Sequence, residues 1–235
     1  MNAITFSIVI PSYNQQEYLP QAIESVLRQK RGVTELIIVD DGSTDGSKDV
    51  ATYYEQIGNA ERVPTKLISQ VNKGLASARN TGIMNATSDY IIPLDADDYL
   101  EPDCVEKIYN VACETDADVI APSIRCFGVA EQVTHLMPSP NLEDFKVGNR
   151  IAYCAAIKRK ALLEVGGYSP RMAEGYEDLH LWINLLTRGK KIVTIPEPLM
   201  NYRVKEESMW KTALKHHDKL MVQIKRDFPN YEPQF

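Results

Sequence analysis

Residues 90–98, Tyr-Ile-Ile-Pro-Leu-Asp-Ala-Asp-Asp, join an apolar run of strand length directly to three carboxylates. Carboxylates this close repel one another, and a divalent cation or a cationic ligand group relieves the repulsion. The cluster therefore predicts a metal site. The alternative is a loop that leads into a helix, because Asp caps helices and Pro102 could open one. Ligand sites of open α/β sheets lie at the carboxyl ends of strands, so the fold class decides between the two.

The first half of the chain alternates between short apolar runs and amphipathic segments. Short β-branched runs indicate strands, and apolar residues at helical spacing indicate helices. We predict strands at 4–10, 36–39, 66–69, 90–94 and 119–121, and intervening helices at 18–29, 47–54, 75–84 and 102–114. Continuous apolar strands separated by such helices predict an α/β fold with a mostly parallel central sheet covered on both faces.

The composition is ordinary for a globular protein and predicts a single domain over residues 1–235. The formal net charge is −6, with 44% hydrophobic and 25% charged residues. This balance argues against nucleic-acid binding through a basic surface. The four cysteines show no CxxC spacing, so we expect buried thiols in a reducing compartment. Neither a secretory leader nor an apolar run of bilayer length is recognisable, which predicts a cytoplasmic protein without a transmembrane segment.

The common nucleotide-binding motifs GxGxxG and GxxxxGK[ST] do not occur in the sequence. The chain carries SIVIPSYN at 7–14, IVDDGSTD at 38–45, NKGLASARN at 72–80, LDADD at 94–98, VGGY at 165–168, GYED at 175–178 and NYR at 201–203. In this order and at these spacings, the motifs resemble those of the family 2 glycosyltransferases, which have the GT-A fold. The resemblance covers roughly residues 4–210.

The resemblance implies a Rossmann-like GT-A domain in two halves. Residues 1–122 would bind the nucleotide-sugar donor, and residues 123–235 would bind the acceptor and supply the catalytic base. The implied reaction is metal-dependent, inverting transfer from a UDP- or dTDP-linked sugar to a hydroxyl group of a glycan or lipid-linked acceptor. The processive QxxRW motif is absent, because EESMW at 206–210 keeps only its Trp, which favours single additions.

The resemblance also implies donor-binding residues. Pro11 and Tyr13 would lie beside the nucleotide, with the Tyr13 ring on the base. Asp41 would accept the imide N–H of uracil or thymine. Lys73 and Arg79 flank a helix that opens after a glycine, and they would lie near the diphosphate. The alternatives are a turn and helix cap for Asp41 and a solvated surface charge for Lys73.

The acidic cluster and the GYED motif supply the implied metal ligands and base. Asp95 would lie near the sugar or ribose, Asp97 on the ribose or metal, and Asp98 directly on Mn²⁺ or Mg²⁺. Asp178 would be the base that takes the acceptor proton, with Glu177 as the second candidate. The alternative for Asp178 is a helix cap for residues 179–187.

Two segments and two other protein classes stay open. Residues 126–149 lack periodicity, so they are either a lid or acceptor-binding element or a disordered connector. The apolar residues Trp210, Leu214, Met221, Ile224 and Phe228 alternate with lysines, which indicates either an interfacial helix for peripheral membrane association or a helix packed on the domain. The other classes are a sugar nucleotidyltransferase, which usually has a glycine-rich basic loop after strand one, and a sugar-nucleotide-binding or scaffold protein without activity.

Overall fold

The computed structural model describes residues 3–60, 63–206 and 209–234. The strands of these ranges are β1 (Phe6–Ser12), β2 (Glu35–Asp40), β3 (Thr65–Ser69), β4 (Tyr90–Pro93), β5 (Tyr99–Leu100), β6 (Val119–Gly128), β7 (Gln132–Thr134), β8 (Ala156–Lys158) and β9 (Ile192–Val204). The helices are α1 (Leu19–Leu27), α2 (Ser47–Ala60), α3 (Leu75–Asn85), α4 (Cys104–Thr115), α5 (Leu142–Phe145), α6 (Arg159–Val165), α7 (Glu177–Thr187), α8 (Met209–Lys215) and α9 (His217–Asp227), with a 3-10 turn at Pro170–Met172.

One sheet runs through both halves of the chain in the order β3-β2-β1-β4-β8-β6-β9-β5, and β7 pairs with β6. Strand β1 is parallel to β2 and β4, β2 is parallel to β3, and β6 is parallel to β9. Strands β5, β7 and β8 run antiparallel to their partners. The predicted α/β fold with a mostly parallel sheet is confirmed, and β8 joins the two parallel parts.

Strand residues alternate between two core layers, as the period of two requires. Ile8 and Ile10 of β1 face the layer that includes α1 and α4. Val9 faces the other layer, together with α3 and α7. Trp182 of α7 is fully buried in this second layer and packs in the core. The helices therefore cover both faces and leave the carboxyl edge of the sheet for polar residues.

The segment 126–149 contains the end of β6, strand β7 and helix α5, so it is not a disordered connector. Strand β6 continues through Gly128 because it pairs with β9 along its whole length. It turns back into β7, and Asn141 then caps α5 by accepting the Glu143 N–H at 2.8 Å. The periodicity is weak because most side chains of this hairpin are exposed or half-buried.

Helix α9 packs on the domain through Leu220, Met221 and Ile224, which are all buried. This fits the packed-helix alternative, and peripheral membrane association stays a prediction. Residues 207 and 208 and the side chain of Trp210 lie outside the described residues. Within the parts of the chain described here, no helix has the length and hydropathy to cross a membrane. Cys104 and Cys154 are buried as predicted, whereas Cys113 is exposed.

Gly82 lets α3 lie directly on β1. A Cβ atom at this position would overlap the Val9 side chain. We expect Gly82→Ala to lower the free energy of unfolding by about 1–3 kcal/mol, because overpacking displaces a central strand. The matched control is Gly32→Ala, where a Cβ atom meets nothing within 4 Å; its effect should stay within about 0.5 kcal/mol. Equal urea midpoints for the two variants would contradict this role.

Candidate active site

The acidic residues of the two central motifs lie together at the carboxyl edge of the sheet. Asp40 ends β2 and Asp41 follows it, and residues 95–98 follow β4. Strands β2 and β4 flank β1 on either side and run parallel to it. The motif-bearing loops therefore open on the same edge, where ligand sites of α/β sheets are found.

Arg79 is the buried centre of the site. It is 1% exposed, its Nη2 donates to Asp95 Oδ1, and its Nη1 donates to Glu177 Oε1, both at 2.7 Å. The rings of Tyr153 and Tyr168 lie 5.0 and 5.1 Å from the guanidinium carbon. Burial opposes the positive charge, but the two carboxylates more than offset it and raise the pKa of Arg79 well above its ordinary value. Both terminal nitrogens hold carboxylates here and link the acidic loop after β4 to the first turn of α7, and the place of Arg79 near the diphosphate stays a prediction.

Asp98, for which the sequence predicts a metal contact, is buried and hydrogen-bonded within the protein. It is 1% exposed, its Oδ2 accepts from the Tyr153 hydroxyl at 2.6 Å, and its Oδ1 accepts from the Arg203 N–H at 2.7 Å. Burial, helped by the charges of Asp97 and Asp95, raises the pKa of Asp98 well above its usual range. The two hydrogen bonds leave about two acceptor positions on this carboxyl, so the metal contact expected for Asp98 stays a prediction.

Asp95 and Asp97 present carboxylates at the accessible edge, with side chains 23% and 22% exposed. Lys205 Nζ lies 2.6 Å from Asp97 Oδ2, and Arg203 Nε donates to the Asp97 carbonyl at 2.9 Å. Burial raises the pKa of Asp95 to about 6 although the Arg79 charge opposes this. A cationic group already sits on Asp97, which shows that this carboxylate attracts positive charge.

Asp41 connects β2 to the start of α3. Its Oδ1 accepts from Gln70 Nε2 at 2.7 Å and from the Lys73 N–H at 2.9 Å, and its Oδ2 accepts from the Gly74 N–H at 2.8 Å. A carboxylate has about four acceptor positions, so one is left for a ligand N–H. Asp40 Oδ1 accepts from the Ser43 N–H at 3.3 Å, which is a turn contact.

The other predicted donor residues lie around this carboxylate in different states of exposure. The Tyr13 ring is 46% exposed just beyond β1, so its face is open for stacking. Pro11 is buried within β1 and pairs with Val39. The Lys73 side chain is exposed, and its backbone N–H supplies the contact to Asp41.

Asp178 and Glu177 form the first turn of α7. Asp178 is half-buried; its Oδ1 accepts from the Leu179 N–H at 2.7 Å and its Oδ2 from Asn149 Nδ2 at 2.8 Å. Burial, helped by the neighbouring charge of Glu177, raises the pKa of Asp178 to about 7. A carboxylate with this pKa can accept a proton near neutral pH.

Two contributors carried no sequence signal. The Tyr153 hydroxyl donates to Asp98 and accepts the Asp95 N–H at 2.9 Å, so it fixes the acidic loop. Asn149 contacts Asp178 from the exposed loop before β8. Neither residue falls within a motif, and both act across 29 or more positions of sequence, which only the tertiary structure reveals.

The architecture is that of the GT-A fold. The structure of S. aureus TarS 1-349 in complex with UDP-GlcNAc is similar to this chain with a TM-score of 0.81 at 16% identity, over 98% of this chain and 68% of that chain. Mannosyltransferase PcManGT from Pyrobaculum calidifontis, in complex with GDP-Man and Mn²⁺, is similar with a TM-score of 0.74 at 17% identity, over 96% and 65% of the two chains. At these identities the likeness shows the fold.

The sequence comparison gives the family. The profile described as glycosyl transferase family 2 matches residues 7–166. TuaG of Bacillus subtilis is 30% identical over 223 residues, which are 89% of this chain and 84% of TuaG. The chain belongs to glycosyl transferase family 2, and the resemblance seen in its motifs is confirmed. This chain spans only about a third of the length of three other curated relatives, of which the match covers 31%, 37% and 32%.

The raised pKa of Asp178 has a consequence for stability. The folded-state value of about 7 lies above the ordinary value near 4, so this residue favours folding below about pH 4 and the contribution is lost as the pH rises through 7. Asp178→Asn cannot titrate. We expect the variant to gain about 1–2 kcal/mol of stability relative to the wild type between pH 4.5 and pH 8, after a discount for partial exposure.

Urea unfolding at the two pH values measures this gain. The matched control is Glu174→Gln, because the hydrogen bond from Lys219 lowers the pKa of the Glu174 carboxyl. Its contribution has the opposite sign, since a lowered pKa stabilises above the unfolded value and is lost as the pH falls. The same stability difference between Asp178→Asn and wild type at both pH values would contradict the raised pKa.

Proposed function

We propose that the chain is a glycosyltransferase that moves a sugar from a nucleotide-diphospho-sugar to a hydroxyl group of a glycan or lipid-linked acceptor. The observation that supports this most directly is the link through Arg79 between Asp95 at the donor edge and Glu177 beside Asp178. Transfer requires donor, acceptor and base in one arrangement, and this link holds the two sides together. Family membership is the second support.

The donor would be a UDP- or dTDP-linked sugar. Asp41 keeps one acceptor position beside its three hydrogen bonds, which suits the imide N–H of uracil or thymine. The exposed Tyr13 ring would stack on the base. TarS, which shares the fold, has been crystallised with UDP-GlcNAc.

Mn²⁺ or Mg²⁺ would be held by Asp97, with Asp95 beside it. The two carboxylates fit such an ion, because these cations prefer oxygen ligands and often combine one or two carboxylates with substrate phosphates. Over the described ranges, no three His, Cys, Asp or Glu side chains lie close enough to hold a metal together. Donor phosphates would therefore complete the coordination, and Lys205 would yield its place on Asp97. The bound ion would neutralise the charge of the leaving nucleoside diphosphate.

Asp178 would be the general base of an inverting transfer. It is half-buried and has a pKa near neutrality. Glu177 is 7% exposed and its Oε1 accepts a hydrogen bond from Arg79. It is therefore better placed to pair with Arg79 than to take a proton from an acceptor hydroxyl. In an inverting reaction the acceptor hydroxyl attacks from the face opposite the leaving group, and the Asp178 carboxylate would take its proton.

Nucleotide binding tests the donor and metal assignments. We expect calorimetry to show that UDP or dTDP binds more tightly than GDP or CMP, and that Mn²⁺ increases the affinity. Asp97→Asn should lose most of the increase caused by Mn²⁺, because it removes an ionised oxygen ligand. Asp103→Asn is the matched control, since Asp103 lies in the same acidic region but pairs with Lys107.

Two outcomes would contradict these assignments. The absence of nucleotide binding by the wild type would overturn the proposed donor site. An unchanged Mn²⁺ effect in Asp97→Asn would overturn the metal assignment. Asp98→Asn distinguishes the role of Asp98 from that of Asp97. We expect it to lower the unfolding temperature, because it weakens the contacts with Tyr153 and Arg203.

Transfer kinetics test the base. We expect Asp178→Asn to retain nucleotide binding and to lose transfer by a factor of about 10²–10⁴, because the amide cannot accept the acceptor proton. Nucleotide release over a panel of saccharide acceptors measures this. Glu174→Gln, a nearby carboxylate held by Lys219 at 2.8 Å, is the control and should keep wild-type rates. Undiminished transfer by Asp178→Asn would remove it as the base.

A further inference from the structure

Asn149 reaches the carboxylate of Asp178 from a separate part of the chain. Its Nδ2 donates to Asp178 Oδ2 at 2.8 Å. The second oxygen of Asp178 accepts from the Leu179 N–H at 2.7 Å. The carboxylate is therefore held at both oxygens, once by its own helix and once by the loop before β8. About two acceptor positions stay free on it for an incoming hydroxyl group.

The loop that carries Asn149 is itself held in place. Phe145, four residues earlier, is fully buried, and its carbonyl accepts from the buried Tyr231 hydroxyl at 2.6 Å. Arg150 Nε donates to the Asp144 carbonyl at 2.8 Å. Anchors on both sides of position 149 mean that this exposed amide occupies a defined position although its side chain faces solvent.

We propose that Asn149 is a positioning residue that orients the Asp178 carboxylate toward the acceptor hydroxyl. This rests on the proposed function, in which Asp178 is the base. An amide donor suits this position because it is neutral at all relevant pH values and its N–H favours the ionised carboxylate. Over the described ranges, the Asn149 side chain donates to Asp178 and accepts from the Ile151 N–H, so its effect on the chemistry acts through Asp178.

Four other polar or charged groups influence Asp178. Glu177 on the same helix helps to raise its pKa, and Arg79 from α3 lowers it. Burial raises the pKa values of the Tyr168 and Tyr176 hydroxyl groups, and the Asp178 charge adds to this rise. Among these groups and Asn149, the amide is the one on an exposed loop, so its removal is the least disturbing to the fold.

The test is a carboxyl NMR titration of the full chain with ¹³C-labelled aspartate and no ligand. The Asp178 signal is assigned by its loss in Asp178→Asn. We expect Asn149→Ala to raise the pKa of Asp178 by roughly 0.5–1, the effect of losing one hydrogen bond to a charged group. Asn149→Asp should raise it further, because it replaces a donor by a like charge.

Asn85→Ala is the matched control. It removes an exposed amide on α3, which donates to the Thr81 carbonyl, and it should leave the Asp178 titration unchanged. We expect the Asn149 variants to keep the wild-type unfolding temperature within a few degrees. In transfer assays the acid limb of kcat/KM in Asn149→Ala should move with the pKa, so activity at pH 6 falls roughly three- to tenfold.

An Asp178 pKa that stays unchanged in both Asn149→Ala and Asn149→Asp would overturn the positioning role. This readout needs neither donor nor acceptor, so it does not depend on the proposed function. Undiminished transfer by Asp178→Asn would instead overturn the proposed base. The two failures are therefore distinguishable.

Discussion

The buried guanidinium of Arg79 is the interaction on which the rest of the site depends. A buried charge is tolerated when paired carboxylates and hydrogen bonds compensate its lost hydration. Arg79 meets this requirement with Asp95 after β4 and with Glu177 at the start of α7, 98 positions away in sequence. The planar fork of arginine fixes both carboxylates at defined positions, which a lysine could not do. One residue of the first half thereby links the acidic loop after β4 to the first turn of α7.

The three neighbouring carboxylates of Asp95, Asp97 and Asp98 differ in burial and therefore in their contacts. Asp98 is enclosed and bonds to Tyr153 and to the Arg203 N–H, so it ties the acidic loop to β9. Asp95 and Asp97 keep about a fifth of their side-chain surface accessible. The cationic partners differ as well, because Asp95 pairs with the buried Arg79 and Asp97 pairs with the half-buried Lys205. A ligand cation can displace Lys205 from Asp97 far more easily than it can displace Arg79 from Asp95.

The parts that sequence predicted well are those set by local pattern. Apolar runs located β1, β2, β3 and β4, and the motifs placed Asp41, Asp95 and Asp178 at ends of elements. The antiparallel insertion of β8 was not predicted, because Ala156–Lys158 is short and its pairing with β4 and β6 is a tertiary event. The different burial of Asp95, Asp97 and Asp98 was not predicted for a similar reason, because adjacent aspartates look alike in sequence.

The position of α7, the helix that carries the proposed base Asp178, also depends on elements beyond residues 7–166, the part that the family profile matches. Tyr176 precedes α7 with φ +58°, a left-handed conformation that is strained for a tyrosine. Its hydroxyl lies 3.0 Å from His217 Nδ1 at the start of α9. One turn into α7, His180 Nε2 lies 3.0 Å from Asp227 Oδ2 at the end of α9. The acidic edge can be built from strand ends alone, whereas Asp178, the proposed base, follows a strained corner that α9 contacts. Helix α9 thus helps to hold the proposed base in position.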